Sequence, residues 1–448
     1  MIMMSEPILT VGICAEQTIT IELSHPFART PGNVFVEGQI TVRPHGTGLL
    51  LEGALGRAEL PPEVILRPPM REASFLLRDV TIGVQFHWQR REDQRFLGAL
   101  KLVRDGDAVM AINIVPVEAY LASVISSEMS ATCSINLLKA HAITSRSWLL
   151  AQLERSRSAV SSEKRIAVVE TPEERVRWYD REDHAHFDVC ADDHCQRYQG
   201  ITKATTESVR RAVEKTRGLV LMTEGKVCDA RFSKSCGGVS EAFENVWEPT
   251  RHSYLVPVRD SGRDEDRDAL PDLTNEGNAS VWIRDSPGAF CNTRDPHILS
   301  QVLLRFDQET VDFYRWTVEY AQAELSDIVR ARSGIDFGTI LDLLPVQRGY
   351  SGRLITMTIV GTKKTLTIGK ELEIRRTLSR THLYSSAFVV GRGDVQGGVP
   401  GRFLLRGAGW GHGVGLCQIG AAVMGEKGYA ADSILRHYFR NAEVVTMY

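Results

Sequence analysis

Two cysteines and three histidines crowd into one short segment: His184, His186, Cys190, His194 and Cys195. Thiolates beside imidazoles are the donors that zinc prefers over magnesium or calcium, and four of them complete a tetrahedral shell. The adjacent pair His194-Cys195 departs from familiar finger spacing, and the bland reading is a polar loop with two thiols and exposed histidines. The density of donors favours the metal, with His184, Cys190, His194 and Cys195 as ligands and His186 as the substitute for His184. Four protein ligands close the shell, which makes such a site structural.

Three further segments offer chemistry. Glu128 lies in Ser126-Ser127-Glu128-Met129-Ser130, a break between two helical patterns. A lone glutamate is ordinarily a solvated surface group, but an elbow between apolar-faced helices can desolvate a carboxyl and lift it toward the acid form. Ser233-Lys234-Ser235-Cys236-Gly237-Gly238 follows a strand pattern. Its glycine pair lets backbone N–H groups approach a ligand, and Cys236 would need an adjacent base to act as a nucleophile; a hairpin end with incidental small residues explains it equally well. The run Gly407-Ala408-Gly409-Trp410-Gly411-His412-Gly413-Val414-Gly415 fits neither the dinucleotide fingerprint nor the P-loop. That argues against nucleotide binding, although the run still permits close backbone approach, with a helix N-terminus after it supplying donors. Taken alone, His412 reads as a core histidine. The H-E-x-x-H and G-x-S-x-G signatures are absent.

The elements that must position these groups follow from periodicity. Residues 8 to about 115 alternate with period two and are broken by turns such as Pro31-Gly32-Asn33 and Arg104-Asp105-Gly106-Asp107, which predicts a β-rich region. A helix starts at Pro116, with Val117, Leu121, Val124 and Ile125 inward. A longer one is capped by Ser134, with Ile135, Leu138, Ala142, Leu149 and Leu153 as its stripe. Polar loop is expected over 155–183, a helix over 203–216, and a hairpin of 219–222 with 227–232 turning at 223–226. The segment 259–268 reads as a charge-dense loop. A helix over 299–332 has Val302, Leu303, Val311, Phe313 and Trp316 as core. Strands follow at 339–346, 354–360 and 364–368, then a short helix from Gln418 to Met424 and a closing helix with Ile434, Leu435, Tyr438 and Phe439 inward.

Composition narrows the function class. Against 53 Lys+Arg stand 56 Asp+Glu in 448 residues, a net charge of −3, so the basic footprint of a general nucleic-acid binder is missing. Eight cysteines are too few for a disulfide scaffold. Cys14, Cys133, Cys291 and Cys417 have no Cys or His at ligand spacing and read as free thiols. No run of apolar residues is long enough to span a membrane. The start, Met1-Ile2-Met3-Met4-Ser5-Glu6-Pro7, lacks the basic n-region of a secretory signal.

Taken in order, several segments resemble the SpoIID/LytB family, the stage II sporulation protein D and amidase-enhancer group. They are Glu118-Ala119-Tyr120-Leu121, Ser127-Glu128-Met129, Leu138-Lys139-Ala140-His141-Ala142 with Arg146, and Asp188-Val189-Cys190 with His194-Cys195-Gln196. Ser235-Cys236-Gly237-Gly238, Ser351-Gly352-Arg353, Gly409 to Ala421, and Ile434-Leu435 with Tyr438 complete the series. The resemblance runs from about residue 98 to the end; His141 stands where the family often has Gln, and Leu416-Cys417 where Met-Ser is common. It implies an α+β fold with a β-rich N-terminal region (1–97) and a mixed α/β catalytic region with a groove (98–448). That region would carry a metal-binding insertion at 155–200 and a polar and helical insertion at 259–335. It also implies a peptidoglycan lytic transglycosylase that leaves 1,6-anhydro-N-acetylmuramic acid ends, preferring strands stripped of stem peptides. Glu128 is then the acid, and Ser235, Cys236, Gly237, Gly238, His412, Gln418 and Arg146 are the substrate-contacting groups. Zinc on His184, Cys190, His194 and Cys195 is structural. The partners implied are glycan strands and a cell-wall amidase, and the location the cell envelope. Two other classes fit the same residues: a non-catalytic wall-binding amidase enhancer, and a zinc hydrolase, which a closed four-ligand site disfavours.

Overall fold

Alternating apolar residues from Leu9 onward fold as ten strands between Ile8 and Pro116, each paired antiparallel with its neighbours. In the computed structural model, which describes residues 5–32, 34–54, 56–84, 89–129, 132–158, 168–178, 184–192, 194–203, 206–262, 270–302 and 311–448, these strands form one sheet. Val189–Cys190 joins it as an eleventh, parallel strand beside Ile8–Glu16. Val11, Ile21, Phe27, Val42, Leu66 and Phe75 are buried, the inward half of the alternation expected of a sheet with one covered face. The strand Ala99–Asp105 pairs with both Glu63–Arg67 and Ala108–Pro116, so the sheet runs across the boundary expected at 97/98. The architecture is α+β.

The sheet hands over directly to the helices. Pro116 ends the strand Ala108–Pro116 and caps helix α1, Val117–Glu128; its φ of −65° is the value its ring imposes and a helix start requires. Val117 N–H bonds the Pro7 carbonyl. Met129 turns extended, so α1 stops at Glu128. Helix α2, Ile135–Ser158, is capped by Ser134, whose Oγ accepts the Leu137 N–H. From Ala140 to Leu150 it is buried on every side, a wider apolar contact than the expected stripe. Ile135, placed in that stripe, is exposed because it stands in the first turn, ahead of the enclosed part.

Charge inside that core is paired. Arg146, fully enclosed, grips Glu118 of α1 with two hydrogen bonds, Nε to Oε1 at 3.0 Å and Nη2 to Oε2 at 2.6 Å. Its Nη1 donates to the Leu219 carbonyl. Glu118 also accepts the Gly218 N–H and the Tyr448 hydroxyl. Arg146 is therefore a brace between α1 and α2 and has no face open to sugar, which corrects its assignment as a substrate contact.

Other expectations shift. The helix Glu207–Lys215 forms, capped by Thr206. The hairpin turns at Glu224-Gly225, both with positive φ, but its second strand is only Lys226–Val227, and Phe232–Ser233 instead pairs parallel with Leu416–Cys417. The helix expected over 299–332 is divided. Pro296–Val302 is helical, Arg315–Ala321 is a strand beside Arg402–Ala408, and Gln322–Ser333 is helical again. Trp316, Val318 and Tyr320 alternate, and that two-residue period outweighs the helical spacing around it. Leu303 lies outside the described residues, as do 159–167, 179–183 and 263–268 of the expected loops; Val311 is exposed. The strands Ile340–Arg348, Leu354–Gly361 and Thr365–Gly369 form as expected. With Trp316, Leu325, Phe337, Phe388 and Leu405 they enclose a second core, which extends well past residue 335. Among the described residues no helix is long and apolar enough to cross a membrane.

Removing one partner of a buried ion pair strands the other, at a cost of about 3–5 kcal/mol. Glu118→Ala should therefore lower unfolding stability in denaturant titrations by about that amount. Glu22→Ala, which removes an exposed partner of Arg78, should leave the midpoint unmoved.

Candidate functional site

The Cys/His segment is held by the first strand. The Asp188 carboxylate accepts the Thr10 N–H at 2.8 Å and the Thr10 hydroxyl at 2.7 Å, and Phe187 packs where a side chain on Gly12 would stand. From that anchor the chain turns so that donor atoms of His184, Cys190, His194 and Cys195 all lie within 4.8 Å of one another. Cys195 Sγ is 3.5 Å from both His184 Nε2 and His194 Nδ1, and Cys190 Sγ is 3.9 Å from His194 Nδ1. Metal bonds of the usual zinc lengths give a tetrahedron with sulfur–nitrogen edges of about 3.5 Å, so the spacing fits a closed metal shell. Hydrogen bonding from Cys195 first, then from His184 and His194, holds the Cys190 thiol far below its ordinary value. His186 is exposed and outside the cluster. These four residues could hold a metal ion.

The same turn delivers a backbone donor to Glu128. Arg197, two residues after Cys195, donates its N–H to Glu128 Oε1 at 3.0 Å. Among the described residues this is the carboxylate's one hydrogen bond, which leaves Oε2 unengaged by any of them. Glu128 is half-buried at the last position of α1, with Met129 and Ser127 enclosed on either side. The elbow inferred from sequence is there.

A relay of contacts runs inward from this point along α2. Gln196 accepts the Tyr120 hydroxyl and donates to the Ser145 carbonyl. Ser145 Oγ lies 3.2 Å from His141 Nδ1, and Gln418 Nε2 lies 3.3 Å from His141 Nε2. An amide nitrogen can only donate, so Nε2 of His141 accepts and its proton sits on Nδ1, facing Ser145. Burial, with Lys234 adding, pushes His141 down to about 3.

The glycine-rich segments form the wall beyond Gln418. Ser235 and Trp410 exchange backbone hydrogen bonds of 3.1 and 2.8 Å. Gly409, Gly411, Gly413 and Gly415 all take positive φ, and a side chain on Gly413 would collide with the guanidinium of Arg353. Fully buried Arg353 donates to the carbonyls of Cys236 and Gly411 and to Ser351 Oγ, tying the two segments together. Gly409 and Gly413 thus make room for an arginine. Ser235, Cys236, Gly237, Gly238 and Gln418, expected to touch sugar, are all buried within this wall. Ser235 Oγ takes no hydrogen bond from a described residue. His412 is half-buried, its ring edge-on to Trp247 at 4.7 Å with Nδ1 accepting the Val414 N–H; burial, then Arg231 and Arg353, hold it well below its ordinary value. A cleft of about 580 Å³ lies elsewhere, lined in part by Trp178, Glu244, Arg251 and Lys370, and does not include Glu128.

Sequence reading overlooked Arg197, whose contribution is a backbone group that no side-chain pattern reveals. It overlooked Asp260 too, a buried carboxylate that accepts the Cys291 N–H and the Tyr438 hydroxyl.

The buried histidines fix a pH dependence. An unfolded imidazole protonates near 6.5, whereas His141 does so only at about 3. Between those values the unfolded chain binds the extra proton, so stability is complete above the unfolded value and falls as pH drops. Melting temperatures measured from pH 7 to pH 4 should decline, and His141→Gln should flatten that decline.

A family model described as "Stage II sporulation protein" matches residues 105–222, the span that holds Glu128, α2 and the Cys/His segment. A model described as "Domain of unknown function" matches residues 241–415. Stage II sporulation protein D of Bacillus subtilis is 23% identical over 338 residues, 75% of this chain and 76% of its own length. An uncharacterized protein of Brachyspira hyodysenteriae is 22% identical over 78% of this chain and 72% of its own. The amidase enhancer of Bacillus subtilis is 22% identical over 52% of this chain, and the match spans only 32% of that longer relative. With the Ser-Glu-Met elbow, the Cys/His turn and the glycine wall assembled in the order the sequence carries them, the chain holds a stage II sporulation protein domain over residues 105–222 and is similar along most of its length to stage II sporulation protein D.

Proposed function

We propose that this chain cleaves peptidoglycan glycan strands as a lytic transglycosylase, with Glu128 as its single acid and base. The observation that carries this reading is the state of one carboxylate: Glu128 is half-buried and fixed through Oε1 by a backbone N–H, while no described residue engages Oε2. Two enclosed carboxylates, Glu118 and Glu241, are by contrast saturated. Glu118 holds Arg146, and Glu241 accepts from Ala242, Asn245, Tyr350 and Ser351.

Hydrolytic glycosidases use two carboxyl groups, one as acid and one to activate water or attack the sugar. A lytic transglycosylase needs one. Glu128 in its acid form gives its proton to the glycosidic oxygen as the C1–O bond breaks. The C6 hydroxyl of the same muramic residue then attacks C1 and yields its proton to the Glu128 carboxylate, closing the anhydro ring and restoring the acid. No water is consumed, and the intramolecular attack has a large effective molarity. The Arg197 N–H holds the carboxylate in place during the second transfer. His412 and the wall behind it would line the sugar path, with Ser235 and Gln418 shaping it from beneath.

Zinc is the ion the donor set suits, held by His184, Cys190, His194 and Cys195. Bound there it would cross-link the turn that carries Arg197, a scaffolding contribution with no part in proton transfer. Because the substrate is wall material, the expected location is the cell envelope. A second reading, favoured by the likeness to the amidase enhancer of Bacillus subtilis, is a non-catalytic module that binds glycan and enhances a cell-wall amidase.

Incubation with glycan strands stripped of stem peptides separates the two. The wild-type chain should release fragments with anhydro-muramic ends, identified by mass spectrometry. Glu128→Gln should lose about 10²–10⁴-fold in rate while still sedimenting with the strands. Binding by wild type with no fragment released would instead establish the enhancer reading.

A further inference from the structure

We propose that Cys236, Asp260, Cys291 and Cys417 form a second metal site, distinct from the Cys/His turn and completely buried, for a zinc-type divalent ion. Their four donor atoms lie within 4.8 Å of one another, and all four residues are enclosed. They arrive from segments far apart in sequence: the strand that runs into the glycine pair, the turn at 258–262, the loop ending at Cys291, and the strand Leu416–Cys417. Cys236 Sγ stands 3.6 Å from Cys291 Sγ, close to the sulfur–sulfur edge of about 3.8 Å in a tetrahedral thiolate shell. Cys236 N–H donates to Cys417 Sγ at 3.3 Å, the same backbone-to-sulfur contact that Cys190 N–H makes to Cys195 Sγ at 3.4 Å in the first cluster.

Buried cysteines often pack as small apolar residues, but a carboxylate does not belong among them unless something offsets its charge. Asp260 is oriented: Oδ2 accepts the Cys291 N–H at 2.9 Å and Oδ1 the Tyr438 hydroxyl at 2.7 Å, with His437 Nε2 at 3.6 Å. Ligands of a metal are commonly aimed by such outer contacts. Binding a dication would release three thiol protons to solvent and leave three thiolates and one carboxylate around it. The two excess negative charges would face two guanidiniums, since Arg353 donates to the Cys236 carbonyl and Arg315 to the Gly237 carbonyl, each at 3.0 Å. Placed there, the ion would join the segment after Ser235 to the one before Gln418. This site does not depend on the glycan-cleavage reading.

Metal analysis of protein purified without chelator tests it. Wild type should carry two zinc equivalents per chain, Cys190→Ser one, Cys291→Ser one, and the double variant none. Cobalt(II) added to metal-free Cys190→Ser protein should give thiolate-to-cobalt charge-transfer absorption that disappears on adding Cys291→Ser. A single equivalent in wild type, retained by Cys291→Ser, would overturn the proposal, as would non-reducing alkylation showing Cys236 and Cys291 joined as a disulfide. If the variants fail to fold, the wild-type stoichiometry of two or one decides alone.

Discussion

Helix α1 is fixed at both ends, and the position of the candidate acid follows from that. Near its start, Glu118 is bound by Arg146, whose side chain is 0% exposed against 10% for Glu118. Such a pair contributes little net stability compared with an apolar contact of equal size, but it tolerates only one register of α1 against α2. At the far end the Arg197 N–H holds Glu128. Between them Tyr120 packs on Tyr198 with ring centroids 5.0 Å apart, and Tyr198 on Phe96 of the sheet at 5.6 Å. The N-terminal sheet thus reaches the site through aromatic contact, and the parallel pairing of Val189–Cys190 with the first strand carries the Cys/His turn to the same place.

The other side of the site is built on a different economy. Arg353 is buried whole, and its hydrogen bonds go mainly to backbone carbonyls of the two glycine-bearing segments. Burying a guanidinium is costly unless its donors are met, and carbonyls can meet them only where no side chains intervene. That is why glycine stands at 409 and 413, where a side chain would meet the guanidinium, whereas Gly415 clears the Arg231 carbonyl. The requirement is steric and electrostatic, and it yields a rigid wall in which His412 alone of the expected sugar contacts is partly open.

Much of this was legible in the sequence where the signal is local. The Pro116 start, the Ser134 cap, the four metal donors and the Glu128 elbow each depend on residues within a few positions of one another. Features made by distant segments were not legible. Arg146 carries a motif position that resembles a functional residue, yet its partner Glu118 lies 28 residues away and turns it into a brace. Cys291 and Cys417 have no neighbour at ligand spacing, yet the fold brings both to Cys236. The strand Arg315–Ala321 was hidden between helical stretches because its alternation covers only seven residues.

The central claim is that one carboxyl suffices because the sugar supplies its own nucleophile. Digesting glycan strands in water enriched in heavy oxygen tests this most directly. The account predicts fragments whose new muramic ends carry no heavy oxygen and have lost the elements of water relative to hydrolysis products. Heavy oxygen at the new C1 ends, with reducing termini, would contradict it.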